Sequence, residues 1–398
     1  MINQSWNFHS TERIVFGNGS IQQLNNVLQR LNATKLLIVT DQGIRKAGIL
    51  DRVVPLLEKE NYQTVIYDEV VSDPPAQMAI DCAEYAKSQF EPDCIIGLGG
   101  GSCIDIAKLS ALLLTHGGHP LDYAKKAVPG PTTSVVAIPT TAGTASEVTT
   151  VAVVQDVENK IKLGVSDEYL RPDVALLDPE LTIGLPPYTT ACSGIDALSH
   201  AIESYMTKSF AHLDSEGVFQ GSSPLSDSLA YKAIELIANN LTTAVHQGSN
   251  LEARGNMLLA SLIAGMAFSN SGTGAVHALA YPINGIVKSP HGEVTGLLLP
   301  YVMQYNSTVQ KSKMIDIAKA FGIDTSLMPK QEAVLAASTA VLNLVEEIGL
   351  PTRLSQIGIK EKDVPVIAEK AIGIDRLIRT NPRTPRVSDF EKLLNNAL

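Results

Sequence analysis

Four side chains in the second half of the sequence have the types and spacing of a metal site. Asp196 and His200 are four residues apart in a helical pattern, so both side chains leave the same face of a helix. His277 follows in the segment GAVHALAYP, and His291 in the segment SPHGE. One carboxylate with three imidazoles suits Zn²⁺ or Fe²⁺. Each histidine taken alone also fits an ordinary core or surface position, and spacing leaves both interpretations open.

A glycine-rich turn in the first half has the features of a phosphate-binding loop. Residues 97–102 read GLGGGS and lie between a predicted strand and a predicted helix. Backbone N–H groups and the helix dipole attract a pyrophosphate at such a turn, and glycine lets it approach the backbone. The common G-x-G-x-x-G spacing fails, because its sixth position is Ser102. A tight turn without a ligand is the alternative.

A second polar loop, PTTAGTASEVT at 139–149, also follows a predicted strand and carries several hydroxyl groups. Two such loops at strand ends on one sheet edge would hold a dinucleotide from both sides. The alternative is a threonine-rich helix N-cap, for which Ser146 and Glu147 are also suited. The two interpretations are compatible.

Predicted strands and helices alternate in the first half of the sequence, and they must position these two loops. Short apolar runs at 35–40, 64–67, 94–98 and 134–138 predict buried strands, and the segments 50–59, 76–90 and 105–114 have helical spacing. This alternation predicts a parallel sheet with helices on its faces.

The pattern of apolar and polar residues changes after Pro186 and Pro187. Amphipathic segments at 191–206, 225–246, 251–268 and 331–348 predict an all-helical second domain. We expect residues 1–186 to form an α/β dinucleotide-binding domain and residues 187–398 an all-α metal-binding and catalytic domain, with the prolines at the boundary. Residues 209–223, rich in Gly and Ser, predict an exposed excursion between two helices.

Composition limits the class of protein. The 398 residues suffice for two domains, and a formal charge of −10 argues against nucleic-acid and anionic-membrane partners. The sequence shows no secretory signal and no apolar stretch long enough to span a membrane. Four widely spaced cysteines, without a C-x-x-C pair, predict free thiols in a reducing cytoplasm: Cys82, Cys94, Cys103 and Cys192.

Four ordered motifs resemble the iron-containing, or group III, alcohol dehydrogenase family. They are GGGS-x-x-D-x-A-K at 99–108, PTTAGTASE from 139, G-x-D-A-x-x-H-A-x-E at 194–203, and the VHA…PHG block. The similarity extends from IVFGNGSI at 14–21 to NPR at 381–383. It implies a Rossmann-like α/β nucleotide domain followed by a helical metal domain, the dehydroquinate-synthase-like fold, with the substrate in the cleft between them.

The resemblance also implies roles for individual residues. The metal ligands would be Asp196, His200, His277 and His291. The NAD(H) pyrophosphate would be contacted by Gly99, Gly100, Gly101 and Ser102. The second loop would contact the cofactor through Thr140, Thr141 and Thr144. Lys162 would meet the nicotinamide-side ribose, and Asp41 the adenosine ribose. Asp105 and Lys108 belong to the same motif and could equally serve helix–loop packing. The candidate pocket walls are Val151, Phe268 and Tyr281, and the candidate catalytic residues are His277, His291 and Tyr281.

Three features depart from the family pattern. Asp73, Pro74 and Pro75 stand where members often carry Asn-Pro-Thr. Tyr281 occupies the position, four residues after His277, where many members have a histidine proposed to relay a proton. Residues 209–223 resemble an insertion of about a dozen residues that could reach the cleft mouth or a subunit contact.

The implied activity is an NAD(H)- and metal-dependent alcohol dehydrogenase or aldehyde reductase, working as a homodimer or higher homo-oligomer. Diols, hydroxy-aldehydes and aldehydes with an acidic head group, such as sulfoacetaldehyde or a phosphonate, stay open as substrates. One alternative is a dehydroquinate-synthase-like lyase using NAD and zinc, although no Lys/Arg cluster accompanies the histidines. Another is a non-catalytic, filament-forming member, although all four predicted ligands are intact.

Overall fold

The computed structural model describes residues 5–158, 161–213 and 217–398, apart from the side chain of Ile161. Within them the backbone forms two compact units. The α/β unit is Ser10–Leu185, and the helical unit is Pro186–Leu398 together with the described residues before Ser10.

The α/β unit alternates strands and helices. Its strands are β1 (Arg13–Phe16), β2 (Lys35–Val39), β3 (Gln63–Tyr67), β4 (Cys94–Gly99), β5 (Ser134–Pro139), β6 (Val151–Asp156), β7 (Ile161–Ser166) and β8 (Val174–Leu177). Its α-helices are α1 (Leu24–Arg30), α2 (Gln42–Lys46), α3 (Leu50–Glu58), α4 (Ala76–Gln89) and α5 (Gly101–His116). Short 3-10 helices cover Ser20–Gln23, Pro120–Asp122, Ser146–Val148, Glu168–Leu170 and Pro179–Thr182.

In the described part of the chain, six strands form one sheet in the order β1-β8-β5-β4-β2-β3, and every neighbouring pair is parallel. The predicted parallel sheet is confirmed. Successive residues of β2 enter opposite cores: Leu37 packs with α4 and α5, and Leu36 packs with α1 and α3. Burial on both faces explains why the central strands read as continuous apolar runs.

The strands β6 and β7 form a separate antiparallel pair that the sequence did not predict. Residues of β6 alternate between buried and half-buried, with Ala152 and Val154 inside the core beside α5. One-sided burial gives a weaker sequence pattern than the central strands have.

The helical unit contains the second set of elements. Its α-helices are α6 (Pro187–Met206), α7 (Pro224–His246), α8 (Leu251–Ser271), α9 (Ala275–Asn284), α10 (His291–Asn306), α11 (Lys311–Ala320), α12 (Lys330–Glu347), α13 (Val364–Ile372), α14 (Asp375–Ile378) and α15 (Val387–Ala397). Its 3-10 helices are Phe210–His212, Leu354–Ile357 and Glu361–Asp363. The predicted helices correspond to α6, α7, α8 and α12, so the helical second half is confirmed.

The described residues before Ser10 belong to the helical unit, whereas the sequence assigned them to the α/β domain. The His9 N–H donates to Asn270 Oδ1 at 2.8 Å, and Asn270 Nδ2 donates to the His9 carbonyl at 2.9 Å. The Asn7 N–H donates to Gln220 Oε1 at 2.9 Å. These polar contacts lie far apart in sequence and leave no local pattern to predict them.

The expected excursion at 209–223 is anchored where it is described, and residues 214–216 lie outside the described residues. Phe219 is 6 % exposed, and its carbonyl accepts a hydrogen bond from Arg379 Nη2 at 2.6 Å. The N–H groups of Gln220 and Gly221 donate to the carbonyls at the end of α8. Residues 219–221 therefore pack on the end of α8, and the expectation of an exposed segment is wrong for them.

All four cysteines are buried and carry free thiols, as expected. None of the helices in the described ranges combines the length and apolarity needed to cross a membrane.

Candidate metal centre and nucleotide-binding loops

One face of α6 carries three buried polar side chains. Asp196, His200 and Glu203 occupy positions i, i+4 and i+7 and therefore line one side of the helix. All three are less than a tenth exposed. Buried charged groups require partners, because removing a charge from water costs several kcal/mol. The neighbouring helices must supply them.

Helices α9 and α10 supply these partners near their first turns. His277 is the third residue of α9, and His291 is the first residue of α10. At Gly292, a Cβ atom would overlap the backbone carbonyl of Cys192 on α6. Only glycine allows this close crossing, which brings the start of α10 beside the Asp196 turn.

Two side chains hold the start of α9. Asn381 Oδ1 accepts a hydrogen bond from the Ala275 N–H at 3.2 Å, and Glu203 Oε1 accepts one from the Val276 N–H at 2.7 Å. The first turn of a helix leaves such N–H groups without partners inside the helix. The NPR and G-x-D-A-x-x-H-A-x-E motifs therefore meet at the helix that carries His277.

Asp196, His277 and His291 come together inside the helical unit. One potential ligand atom from each lies within 4.8 Å of the other two. His200 adjoins them: its Nε2 lies 2.9 Å from His277 Nε2, and its Nδ1 lies 3.8 Å from Asp196 Oδ2. The four side chains that the spacing singled out are neighbours, and we call them the histidine cluster.

A surrounding layer of polar contacts orients the cluster. The Glu203 carboxylate contacts His277 Nδ1, which leaves His277 Nε2 facing Asp196 and His200. His291 Nδ1 lies 3.1 Å from Asn284 Oδ1. The Thr295 hydroxyl donates to Asp196 Oδ1 at 3.0 Å. Supporting contacts of this kind typically orient metal-binding imidazoles and carboxylates.

The cluster favours the ionised form of the Asp196 carboxyl group. Burial acts to raise the pKa of Asp196, but the three nearby imidazoles outweigh it and place that pKa below its ordinary value. Burial acts to lower the pKa of His277, but Glu203 and Asp196 raise it above its ordinary value. The carboxylates of Asp196 and Glu203 thus place negative charge beside the imidazole of His277.

The donor set fits a divalent transition metal. A carboxylate oxygen and imidazole nitrogens are ligands that Fe²⁺ and Zn²⁺ both accept. Ligands bound at about 2.0–2.2 Å to one ion lie at most about 4.4 Å apart. The ligand atoms of Asp196, His277 and His291 lie within 4.8 Å of one another, which is close to that limit.

Two aromatic side chains border the cluster. The Phe268 ring stacks on His200 with 4.2 Å between centroids, and the Tyr281 ring lies 5.8 Å from that of His291. The Tyr281 hydroxyl accepts a hydrogen bond from Arg376 Nη2 at 3.1 Å. Phe268 and Tyr281 thus border the cluster, and their roles as pocket walls stay predictions.

In the α/β unit, the two polar loops lie side by side. They follow the neighbouring strands β4 and β5, in which Gly99 pairs with Pro139. The Thr140 N–H donates to the Gly99 carbonyl at 3.0 Å. A Cβ on Gly101 would lie only 2.6 Å from the Thr144 hydroxyl, so glycine is required for the loops to touch.

Among the described residues, no side chain caps the start of α5. Gly100 precedes the helix and has no side chain to cap it, and Ser102 lies in the first turn. A Cβ on Gly100 would make only an ordinary 3.6 Å contact with Thr141. The N–H groups of a first helical turn bind phosphate in this way in other proteins.

Asp105 and Lys108 fasten the second loop to α5. Asp105 accepts hydrogen bonds from the Ser146 hydroxyl and from a backbone N–H of β6 at 2.9 Å. Lys108 Nζ donates to the carbonyls of Thr149 and Val151, each at 3.0 Å. Burial lowers the pKa of Lys108 to about 8. Of the two roles left open for this pair, these contacts favour helix–loop packing.

Asp41 follows β2 and caps α2. Its Oδ1 accepts a hydrogen bond from the Ile44 N–H at 2.9 Å, and its Oδ2 accepts one from the Cys103 thiol at 3.2 Å.

Lys162 Nζ pairs with Asp73 Oδ1 at 2.6 Å. The departure at Asp73 thus places an acid against the lysine, and the cofactor roles of Asp41 and Lys162 stay predictions. Val151 begins β6 in the α/β unit, and its role as a pocket wall also stays a prediction.

Four side chains around the cluster were not predicted. Glu203 lies three residues after His200, and Thr295 lies four residues after His291, so helical spacing would have placed both on the ligand faces. Asn284 similarly lies seven residues after His277. Arg376 is remote in sequence, and no local pattern marks it.

Comparison with known proteins agrees with this geometry. A model described as "Iron-containing alcohol dehydrogenase" matches residues 11–179, and one described as "Fe-containing alcohol dehydrogenase family, C-terminal" matches residues 190–398. Long-chain-alcohol dehydrogenase 1 of Geobacillus thermodenitrificans is 38% identical over 389 residues, covering 94% of this chain and 93% of the relative.

Two solved structures extend the comparison. A 1,3-propanediol oxidoreductase has a TM-score of 0.93 and 35% identity, covering 99% of this chain and 100% of its own. A sulfoacetaldehyde reductase from Bifidobacterium kashiwanohense, in complex with NAD+, has a TM-score of 0.87 and 27% identity, covering 99% of each chain. The two family models together span most of the sequence, and the chain belongs to the iron-containing alcohol dehydrogenase family.

Proposed function

We propose that this protein is an NAD(H)- and metal-dependent alcohol dehydrogenase and aldehyde reductase, which transfers hydride between the cofactor and a small alcohol/aldehyde pair. The observation that carries the proposal is the buried histidine cluster, in a chain of this family. The named relatives act on a long-chain alcohol, a propanediol and sulfoacetaldehyde. Family membership therefore supports the type of reaction. The substrate has to be inferred from this chain's own residues.

The metal would be held by Asp196, His200, His277 and His291, and we propose iron in preference to zinc because the family model carries that metal in its name. When bound, the cation supplies a Lewis acid for the negative charge that develops on the substrate oxygen. Glu203 keeps His277 in one orientation, and Phe268 covers His200. These residues hold the ligands in place and limit the access of water.

The cofactor would occupy the α/β unit, which we propose as the nucleotide domain, while the helical unit serves as the metal domain. The first turn of α5 would bind the pyrophosphate through the loop Gly99, Gly100, Gly101 and Ser102. Hydroxyls of the neighbouring loop would support the other side: Thr140, Thr141 and Thr144. The NAD+ complex of the sulfoacetaldehyde reductase supports NAD(H) as the cofactor.

Two side chains would choose and orient the cofactor. Asp41, at the end of β2, would accept hydrogen bonds from the adenosine ribose and repel a 2′-phosphate, which favours NAD(H) over NADP(H). Lys162 would meet the nicotinamide-side ribose. Its ion pair with Asp73 limits the positions that its ammonium group can take.

The other two functions are less well supported. A lyase of the dehydroquinate-synthase kind would handle a phosphorylated, carboxylated sugar, whereas the relatives named above are dehydrogenases and reductases. A filament-forming module would not require four neighbouring ligand residues, three of which are buried. We further propose a cytoplasmic homodimer or higher homo-oligomer, without nucleic-acid or membrane partners. The buried free thiols support a cytoplasmic location. The charge of −10 argues against nucleic-acid and anionic-membrane partners.

The test is an activity assay on the metal-loaded protein. Iron- and zinc-loaded samples are mixed with NADH and a panel of short aldehydes, and NADH absorbance is followed. We expect aldehyde-dependent oxidation of NADH, with higher activity in the iron-loaded sample. Absence of turnover with every aldehyde, and with the matching alcohols and NAD+, would contradict the proposal.

A further inference from the structure

A guanidinium group borders the histidine cluster. Arg376 lies in the short helix α14 and is half-buried. Its Nη2 donates to the Tyr281 hydroxyl, and its Cζ lies 5.7 Å from the centroid of the Tyr281 ring. That ring lies 5.8 Å from the ring of His291. A positive charge is therefore held one side chain away from a proposed metal ligand.

No carboxylate balances this charge within the described ranges: no Asp or Glu oxygen there lies within 4.0 Å of the Arg376 nitrogens. Arg379, three residues later, donates instead to the Phe219 carbonyl at 2.6 Å. A half-buried guanidinium without an anion is unfavourable, and an anionic ligand would relieve that cost.

We propose that Arg376, positioned by Tyr281, binds an anionic head group of the substrate, so that the preferred aldehydes and alcohols carry a carboxylate, sulfonate or phosphonate remote from the reacting carbon. A guanidinium offers two parallel N–H donors to the oxygens of such a group. The Tyr281 oxygen accepts from Arg376, which leaves its own O–H free to donate to the ligand. This inference rests on the proposed function and names its substrate class.

The proposal also accounts for tyrosine at position 281. A protonated imidazole at this position would repel the guanidinium of Arg376. The tyrosine side chain instead offers its hydroxyl oxygen and its ring face to the cation. Tyr281 and Arg376 therefore form a compatible pair, in which Tyr281 is a positioning residue.

The test compares aldehydes of matched shape that differ in charge. Succinate semialdehyde is paired with isocaproaldehyde, and sulfoacetaldehyde with tert-butylacetaldehyde, so that the carboxylate and sulfonate arms are separate. We expect the unmodified enzyme to prefer the charged member of at least one pair by about tenfold or more in kcat/KM. Arg376→Gln should lose about 10–100-fold on that anion, mainly through KM, and less than about threefold on its neutral partner.

Two matched variants separate charge from structure. Arg376→Lys keeps the charge and should retain part of the preference for the anion. Arg379→Gln removes the same charge three residues away and should leave the charged-to-neutral ratio unchanged. An equal fall for both members of a pair in Arg376→Gln would instead make Arg376 a structural clamp on Tyr281 and overturn the proposal. Equal rates within both pairs in the unmodified enzyme would overturn it too.

A binding measurement needs neither turnover nor a variant. Propanesulfonate has no carbonyl group, and calorimetry on the unmodified, metal-loaded protein with NADH should detect its binding. Where a neutral aldehyde is reduced, the same anion should inhibit competitively. Failure to reduce any aldehyde would contradict the proposed function alone, whereas turnover of neutral aldehydes without propanesulfonate binding would contradict the anion site alone.

Discussion

Glu203 on α6 and His277 on α9 are joined through the imidazole Nδ1 atom, and the same carboxylate accepts the N–H of Val276 at 2.7 Å. One acid thus fixes both the start of α9 and the face that the His277 ring presents. With Nδ1 engaged, Nε2 is the atom that lies 2.9 Å from His200. Glu203 would therefore act on the proposed metal site through His277.

Glu203→Gln should weaken metal binding without removing a ligand. The neutral amide loses the charged hydrogen bond to His277, and such supporting contacts are worth on the order of 10–100-fold in metal affinity. Competition between the protein and a chelator of known affinity measures the change. Glu346→Gln, an exposed change on α12, is the control and should leave affinity unaltered. Equal affinity in both variants would show that Glu203 does not support the site.

His277→Ala should lose the metal and the activity together while the fold survives. The side chain contributes to the cluster from the first turn of α9, whereas the helix start is held by Asn381 and Glu203 through backbone groups. Metal content by elemental analysis and helicity by circular dichroism test the two parts. His246→Ala removes a histidine bonded only to the Glu347 carbonyl and should change neither. Full activity in His277→Ala would refute the site assignment.

The fold was predictable where burial leaves a clear periodic pattern. The strands β2 to β5 are covered on both faces and read as apolar runs, and the long helices α6, α7, α8 and α12 carry their own apolar faces. The four-residue strands β1 and β8 are too short for periodicity to identify. The helices α9 and α10 contain Pro282 and Pro300, which obscure a helical pattern.

The site was predictable to the extent that its residues share a helix or a motif. Asp196 and His200 form a local pair, residue types and spacing left the roles of His277 and His291 open, and the resemblance assigned all four to one metal site. Contacts between distant segments could not be predicted in this way. Arg376 meets Tyr281 only because α14 packs on α9, and the Asp73–Lys162 pair joins residues that are remote in sequence.

Asp41→Asn should narrow the preference for NAD(H) over NADP(H) by about tenfold or more, because the negative charge that repels a 2′-phosphate is removed. Asparagine caps helices as well as aspartate does, so the hydrogen bond to the Ile44 N–H should survive and stability should change little. The ratio of kcat/KM for the two reduced cofactors is the measurement. Asp51→Asn, in the first turn of α3, is the control. Comparable kcat/KM for both cofactors in the unmodified enzyme would contradict the assignment.

Tyr281→Phe should lower kcat modestly and leave the pH profile of kcat nearly unchanged. The phenyl ring still fills the space beside His291 and still faces Arg376, while one hydrogen bond is lost. A proton would then travel through ribose hydroxyls and water. Rates measured with a neutral aldehyde across a pH series test this. A loss of about a hundredfold or more, the order expected for removing a general acid, would make Tyr281 the proton donor.

Glu147 is a buried acid in the loop that follows β5. It is 2 % exposed, and no described group forms a hydrogen bond with its Oε1 atom. Burial raises the pKa of Glu147 to about 7, although its backbone contact and Lys108 act in the opposite direction. The folded chain therefore keeps this carboxyl protonated at pH values where the unfolded chain has already ionised it.

Glu147→Gln should remove part of the pH dependence of stability. Because the pKa is raised in the folded state, the stability that the neutral carboxyl provides is complete below the unfolded pKa and is lost as pH rises toward about 7. The loss approaches about 1.4 kcal/mol per pH unit, or about 2 kcal/mol between about pH 5 and about pH 7. Glutamine does not titrate, so the Tm of the variant relative to the unmodified protein should increase across this range. Glu91→Gln, an exposed change in the same unit, should give a constant difference. A Glu147→Gln difference that is equally flat would mean that Glu147 ionises normally in the folded protein.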